Sequence, residues 1–107
     1  MSQVENLQAE LVRRIQEVAQ PHRIILFGSR ARGTARPDSD FDILVIQDSH
    51  LPRHRRAGPL YTAVAKVPAE VEIMVFTPEE VEEWREVPEA FVTTALREGK
   101  VVYEREE

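Results

Sequence analysis

No cysteine occurs among the 107 residues of this sequence. That absence excludes a disulfide-stabilised scaffold, a thiolate zinc site and catalysis by a cysteine nucleophile. No apolar run approaches the roughly 20 residues that a membrane-spanning helix needs. Basic residues are in the minority, with 14 lysines and arginines against 19 aspartates and glutamates, a net charge of −5. This acidic balance argues against a generic nucleic-acid-binding protein, which usually presents a basic surface.

The size of the chain indicates one small domain, which we expect to occupy residues 1–107. Apolar residues make up 42% of the sequence, a share that is sufficient for one modest hydrophobic core. Residues 1–5 begin a polar amphipathic segment and do not resemble a signal peptide, so the default prediction is a cytoplasmic location without membrane association.

Hydrophobic periodicity predicts helices and strands in alternation along the chain. The predicted helices cover residues 2–19, 60–67, 78–85 and a segment from Pro88 to a cap at Gly99; the predicted strands cover residues 24–27, 41–46, 71–76 and 101–103. Residues 47–59 are predicted to form a loop, and residues 104–107 a solvated tail. Thr77, Pro78 and Glu80 have the order of an N-cap, a first helical residue and a capping-box partner. This order of elements predicts an α+β fold, in which helices cover a small mixed sheet of three to four strands.

Acidic residues stand inside or beside two of the apolar predicted strands. Asp40 and Asp42 are two residues apart, so their side chains leave the same face of the second strand. Glu72 lies within the third strand, and Glu70 shares its side of the pleat. Ionised carboxylates are rarely buried unless they are paired or bind a metal, and oxygen-only ligands favour Mg²⁺ or Mn²⁺. A divalent cation would relieve the repulsion between the two aspartates, whereas a solvated strand start is the alternative explanation.

A glycine–serine pair directly follows the first predicted strand. A backbone bend at Gly28 and Ser29 would expose N–H groups that can hold a phosphate, and the serine hydroxyl would add a donor. The Gly-Lys-Ser/Thr ending of the phosphate-binding loop of nucleoside triphosphatases is missing, which excludes that class of site. Arg30 or Arg32 could supply a cation to a bound phosphate, and the sequence leaves open which of the two faces the site.

The spacing of these two features is more specific than either feature alone. Ten residues separate Ser29 from Asp40, so the sequence reads Gly-Ser, ten residues, then Asp-x-Asp. This segment, together with residues 71–80, resembles the minimal nucleotidyltransferases of the DNA polymerase β superfamily. The resemblance extends over roughly residues 24–103, and it implies a polymerase β-like nucleotidyltransferase fold.

The resemblance also implies a role for each matching residue. Asp40 and Asp42 take the place of the aspartates that hold the divalent metal and the triphosphate. Gly28 and Ser29 take the place of the pair that grips the triphosphate, and an arginine nearby, Arg30 or Arg32, would add positive charge at the β- or γ-phosphate.

Glu72 takes the place of the third carboxylate of the family, which activates the attacking hydroxyl or helps to hold a second metal. The family often has aspartate at this position, and the glutamate of this chain reaches one methylene further. Glu70 is the alternative third carboxylate if the register of the strand differs from the expected one.

The resemblance implies an enzyme that transfers a nucleoside monophosphate, AMP from ATP, to a hydroxyl acceptor in the presence of Mg²⁺ or Mn²⁺. Larger relatives add a domain that grips the acceptor, and 107 residues leave no room for one. A second copy, and thus a homo-oligomer, or another protein is therefore expected to complete the acceptor site. In the family, minimal nucleotidyltransferases often pair with a small helical HEPN ribonuclease toxin. There they act as the antitoxin and transfer AMP to a tyrosine of the toxin.

Two alternative functions remain open at the level of the sequence. The acceptor could be a small molecule or an RNA, although the missing substrate domain argues against it. The chain could also be a non-catalytic binding module that neutralises its partner by contact, although the intact motif residues argue against complete loss of activity.

Residues 53–56 form a short basic run, Arg-His-Arg-Arg, in an otherwise acidic protein. We interpret this run as part of a solvated loop, with a contact to nucleotide, RNA or an acidic partner as the alternative. His22, His50 and His54 are scattered without metal-ligand spacing, so a surface position is predicted for all three.

Overall fold

The computed structural model describes residues 3–33, 35–36, 39–87 and 90–106. In chain order, its elements are α1 (Gln3–Val18), β1 (Arg23–Phe27), α2 (Ser29–Arg32), β2 (Phe41–Ile46), α3 (Arg53–Arg56), α4 (Gly58–Val64), β3 (Val71–Phe76), α5 (Pro78–Trp84), α6 (Phe91–Glu98) and β4 (Lys100–Glu104). The four strands and the N-terminal helix agree with the periodicity-based prediction to within one residue at each end. The predicted helix start at Pro88 lies outside the described residues.

The four strands form one mixed sheet in the order β3-β2-β1-β4. β1 runs antiparallel to both β2 and β4, whereas β2 and β3 are parallel. Parallel neighbours need a crossover connection, and α3 and α4 provide it between β2 and β3. This architecture confirms the predicted α+β fold with a small mixed sheet covered by helices.

Helices cover both faces of the sheet. On one face, α1 and α4 contribute to a buried cluster that comprises Leu11, Ile15, Ile24, Leu26, Phe41, Ile43, Val45, Leu60, Val64, Val67, Ile73 and Val75. On the other face, α6 contributes to a cluster of Ile25, Leu44, Ile46, Phe76, Val92 and Ala95. β2 is buried on both faces, as its nearly continuous apolar sequence predicts. Within the described ranges, no helix has the length and apolar character needed to cross a membrane.

The segment between β2 and β3 contains more helix than predicted. The prediction of a loop over residues 47–59 is wrong in its second half, where α3 forms and α4 begins at Gly58. Pro59 lies in the first turn of α4, where proline is tolerated because its missing N–H would have no helical partner. The interpretation of the basic run as a solvated loop is also wrong for Arg56, whose side chain is only 9% exposed.

Glu80 joins the crossover segment to the start of α5. The predicted capping box is present: Thr77 Oγ1 accepts from the Glu80 N–H at 3.1 Å, and Glu80 Oε1 accepts from the Thr77 N–H at 2.8 Å. The same carboxylate pairs with Arg56 at 2.6 Å and with Arg53 at 3.1 Å. Burial opposes the ionisation of Glu80, but hydrogen bonds from Arg56, Thr77 and Arg53 outweigh it and lower the pKa of Glu80 from 4.5 to about 2.

The C-terminal strand returns the chain to the loop that precedes β1. Gly99, the predicted cap of α6, donates its N–H to the Ala95 carbonyl at 2.7 Å, and a β-carbon at this position would overlap that carbonyl. Arg105 is predicted to lie in a solvated tail, and this prediction is wrong. Its backbone N–H donates to the His22 carbonyl at 2.9 Å, and its guanidinium donates to carbonyls of the loop between α1 and β1.

Candidate active site

The register of the sheet brings two of the predicted carboxylates together at one end of it. Asp42 lies opposite Phe27 of β1 and opposite Glu72 of β3. Residues in register on neighbouring strands point to the same face of a sheet, with the strands about 5 Å apart. Asp42 and Leu44 are two residues apart on β2 and therefore share a face, and Leu44 packs in the cluster beneath α6. Asp42 and Glu72 are therefore neighbours on the face that α6 covers.

Glu70, the alternative third carboxylate, lies just before β3, and it is exposed. Its carbonyl accepts a hydrogen bond from the Phe41 N–H at 2.8 Å, at the point where β2 and β3 begin to pair. Two residues along a strand span about 7 Å, so Glu70 lies about that far before Glu72, the residue in register with Asp42. The register thus favours Glu72 over Glu70 as the third carboxylate.

The carboxylate of Asp42 lies close to other negative charges. Burial and then the neighbouring charges of Glu72 and Asp40 raise the pKa of Asp42 above its ordinary value of 3.8, against the opposing charge of Arg32. Asp42 is half-buried, whereas Asp40 and Glu72 are exposed. Asp42 is thus close enough to both other carboxylates to be repelled by their charges, and a cation beside it would relieve that repulsion.

Gly28 places the start of α2 directly against Asp42. Its backbone has φ 72° and ψ −152°, a combination that essentially only glycine adopts. A β-carbon here would overlap Oδ2 of Asp42. The Gly28 carbonyl accepts from the N–H groups of Ala31 and Arg32 at 3.1 and 3.2 Å, so that α2 begins immediately with Ser29. The predicted backbone bend at Gly28 is confirmed, and it leads directly into the short helix α2.

The structure distinguishes the two arginines of α2. Arg32 is exposed, its charge acts on Asp42, and it lines a cavity of ≈ 180 Å³ beside Gly28. Arg30 instead stacks on Phe41, with its guanidinium carbon 3.8 Å from the centroid of the ring. The geometry therefore favours Arg32 as the cation of the candidate site.

The cavity beside Gly28 includes two polar residues that sequence reasoning missed, Thr94 and Glu98 of α6. Phe27 and Arg32 also line it. The spacing of four residues places Thr94 and Glu98 on one side of a helix. That signal was available in the sequence, but only the packing of α6 against β1 shows that this side faces the turn at Gly28.

Comparison with known sequences identifies the family. The profile of the family described as "Polymerase beta, Nucleotidyltransferase" matches residues 9–107. The chain belongs to this family. The matched range contains the Gly-Ser pair, both aspartates of the Asp-x-Asp motif and Glu72. Among curated protein sequences, none matches the chain.

Solved structures with the polymerase beta nucleotidyltransferase fold are similar to this one. A proposed nucleotidyltransferase from Sulfolobus solfataricus has 20% sequence identity and a TM-score of 0.67, and the similarity covers 95% of this chain and 81% of that chain. A toxin–antitoxin structure with AMP-PNP has 21% identity and a TM-score of 0.59, with 95% and 74% of the two chains covered. At such identities the likeness shows the shared fold alone.

The donor atoms of the candidate site fit the divalent cation that a polymerase beta nucleotidyltransferase implies. Asp40, Asp42 and Glu72 offer carboxylate oxygens, the ligands that Mg²⁺ and Mn²⁺ prefer. Burial and the charges of Glu72 and Asp40 raise the pKa of Asp42, and such a cation would offset this cost of ionising Asp42. Across the part of the chain that the structure describes, no three acidic or imidazole side chains already have the mutual spacing of a metal site. The ligand roles of these carboxylates, and the nucleotide contacts of residues 28–32, stay predictions.

Proposed function

We propose that the protein is a Mg²⁺-dependent nucleotidyltransferase, and that it transfers AMP from ATP to a tyrosine hydroxyl of a partner HEPN toxin, thereby acting as an antitoxin. One observation carries the enzymatic part: Asp42 is in register with Glu72 and, on its other side, lies against Gly28. The carboxylates and the glycine–serine turn therefore meet at one end of the sheet. Membership of the polymerase beta nucleotidyltransferase family supports the same assignment.

Each residue of the site has its own task in this reaction. Asp40 and Asp42 would hold Mg²⁺, or Mn²⁺ in its place, and Glu72 would be a further ligand or the base. When bound, the ion supplies positive charge that neutralises the triphosphate in the transition state. Backbone N–H groups at Gly28 and Ser29, with the serine hydroxyl, bind phosphate oxygens and keep the donor in place.

The transfer itself is an in-line displacement at the α-phosphorus of ATP. The acceptor oxygen forms a bond to phosphorus while the bond to the pyrophosphate oxygen breaks, and the proton of the acceptor passes to Glu72. Glu72 is exposed, so a hydroxyl presented by another molecule can reach it. Arg32, which lines the cavity beside Gly28, would stabilise the negative charge of the departing pyrophosphate.

The protein partner is supported by likeness to a known assembly. One similar structure is a toxin–antitoxin with AMP-PNP, an ATP analogue. The HEPN class and the tyrosine acceptor come from the resemblance to the minimal nucleotidyltransferases. A partner that presents its own tyrosine would supply the acceptor from outside this chain. Transfer to a small molecule or an RNA would need no such partner.

The proposal is tested by incubating the complex of this protein and its partner with Mg²⁺ and ATP labelled at the α-phosphate. We expect the label on a tyrosine of the partner, and its loss with D42N while the complex stays intact. D48N is the matched control, because Asp48 is exposed and pairs with His22 beyond the far end of β2. If a small molecule or an RNA is labelled in the absence of the partner, the acceptor is that molecule and not a tyrosine of the partner. Equal neutralisation of the toxin by D42N and wild type, without any label, would establish a binding module.

A further inference from the structure

Arg30 connects the start of α2 to the strand that carries the aspartates. Its guanidinium carbon lies 3.8 Å from the centroid of the Phe41 ring, within cation–π range, and its Nη2 donates to the carbonyl of Ser39. Ser39 directly precedes Asp40, and Phe41 directly follows it. Arg30 therefore links the two ends of the ten-residue segment between Ser29 and Asp40.

Other contacts anchor the two partners of Arg30. The Ser39 N–H donates to the Arg36 carbonyl at 3.0 Å, and Ser39 Oγ accepts from the Arg36 N–H at 2.8 Å. Phe41 is 1% exposed, and its N–H donates to the Glu70 carbonyl at 2.8 Å. Arg30 thus attaches α2 to Ser39, which is hydrogen-bonded to Arg36, and to Phe41, a residue of the core.

We propose that Arg30 is a positioning residue, which holds residues 39–41 against α2 and so sets the separation of the Asp40 and Asp42 carboxylates. Two like charges on one strand face repel, so the backbone on both sides of Asp40 must be held if its carboxylate is to stay near that of Asp42. A guanidinium suits this task because its rigid plane stacks on the ring while its N–H groups remain directed at the carbonyl. The proposal rests on the proposed function in one respect, namely that these aspartates hold the metal.

Arg32 offers a direct contrast on the same helix. It is exposed, and its positive charge acts on Asp42. Removal of that charge should leave metal binding equal or stronger, while binding of a triphosphate weakens. Removal of Arg30 should have the opposite effect on the metal, because it releases the segment that carries Asp40. Loss of Arg30 is therefore expected to weaken metal binding, whereas loss of Arg32 is not.

The experiment measures the affinity of the protein for Mn²⁺ alone, without nucleotide, in wild type, R30M, R30K and R32M. We expect R30M to bind Mn²⁺ about tenfold more weakly, the lower end of the loss typical for residues that orient metal ligands. R30K should recover part of the affinity, because it keeps the charge but not the planar stack. R32M should bind Mn²⁺ at least as well as wild type. Thermal unfolding of each variant shows whether the fold is retained. If R30M does not fold, the Mn²⁺ affinity of R30K is compared with those of wild type and R32M instead.

Hydrogen exchange gives a readout that needs neither metal nor nucleotide. The amide of Phe41 should exchange faster in R30M than in wild type or R32M, because residues 39–41 lose their attachment to α2. Unchanged exchange and unchanged Mn²⁺ affinity in R30M would overturn the proposal. So would a loss of ATP binding at unchanged Mn²⁺ affinity, which would make Arg30 a phosphate ligand. If wild type binds no Mn²⁺, the proposed function fails instead, and exchange still decides whether Arg30 holds this segment.

Discussion

Asp42 and Glu72 lie in register on two parallel strands, and Asp42 is the more buried of the two. After burial itself, the charge of Glu72 is the largest cause of the raised pKa of Asp42. In the absence of a cation, an ionised Asp42 therefore destabilises the folded protein. The same arrangement is favourable for binding, because a cation placed beside these two carboxylates interacts with both charges at once.

Replacement of Asp42 by asparagine should stabilise the metal-free protein while it removes the metal site. The folded pKa of Asp42 is above the unfolded value, so its stabilising contribution is present below the unfolded pKa and is lost as pH rises through the folded pKa. D42N should therefore unfold at a higher temperature than wild type at pH 7, and at a similar temperature near pH 3. Thermal unfolding in the presence of a chelator checks this. A lower Tm for D42N than for wild type at pH 7 would contradict the raised pKa of Asp42.

Replacement of Glu72 by glutamine should slow transfer far more than it weakens nucleotide binding. A glutamine keeps the size of the side chain but does not accept the proton of the attacking hydroxyl, and loss of a general base costs about a hundred- to ten-thousand-fold in rate. The measurement is the rate of AMP transfer at saturating ATP. E70Q is the matched control and should transfer at close to the wild-type rate. A slow E70Q beside a normal E72Q would reverse the assignment of the third carboxylate.

Alanine at Gly28 should be more damaging than alanine at Gly33, the other glycine with a positive φ. The φ of 72° with ψ −152° imposes a strain of about 1–3 kcal/mol on alanine, and the added methyl group also displaces the Asp42 carboxylate. G33A has a comparable φ of 75° but open space around it, so it should cost about 1 kcal/mol and retain ATP binding. Urea unfolding and calorimetric titration with Mg²⁺ and an ATP analogue separate the two effects. Wild-type binding by G28A would mean that its contact with Asp42 is unimportant.

Replacement of Glu80 by glutamine should show how much the negative charge of Glu80 contributes to the stability of the folded protein. The pKa of Glu80 is lowered to about 2, so its contribution is fully present above the unfolded value of 4.5 and is lost as pH falls toward 2. Glutamine preserves the capping box but not the pairing with Arg53 and Arg56, and E80Q should lose about 1–2 kcal/mol at pH 7. Denaturant unfolding should show this difference shrinking below pH 4.5. E79Q, on the exposed side of the same turn, should stay close to wild type at both pH values.

The sequence predicted most of the elements because their signals are local. A strand such as β2 is visible as an apolar run, and the capping box of Thr77 and Glu80 needs only a spacing of three residues. The predictions failed where a polar residue has a distant partner. Arg56 pairs with Glu80, 24 residues away, and the composition of the basic run does not indicate this. The tail residue Arg105 is a second example, since its partners lie in the loop before β1.

Spacing and strand alternation along the sequence are enough to tell which chemical groups are available and on which side of each strand they lie. Which of these groups come into contact depends on how the strands and helices pack together. The alternation of a strand places Glu70 and Glu72 on one face, but the parallel pairing of β2 with β3 places Glu72 beside Asp42. Likewise, Arg30 stacks on the ring of Phe41, whereas Arg32 lines the cavity. The physical reason is that side-chain alternation follows from the local backbone, whereas register and docking depend on how the hydrophobic core as a whole is packed.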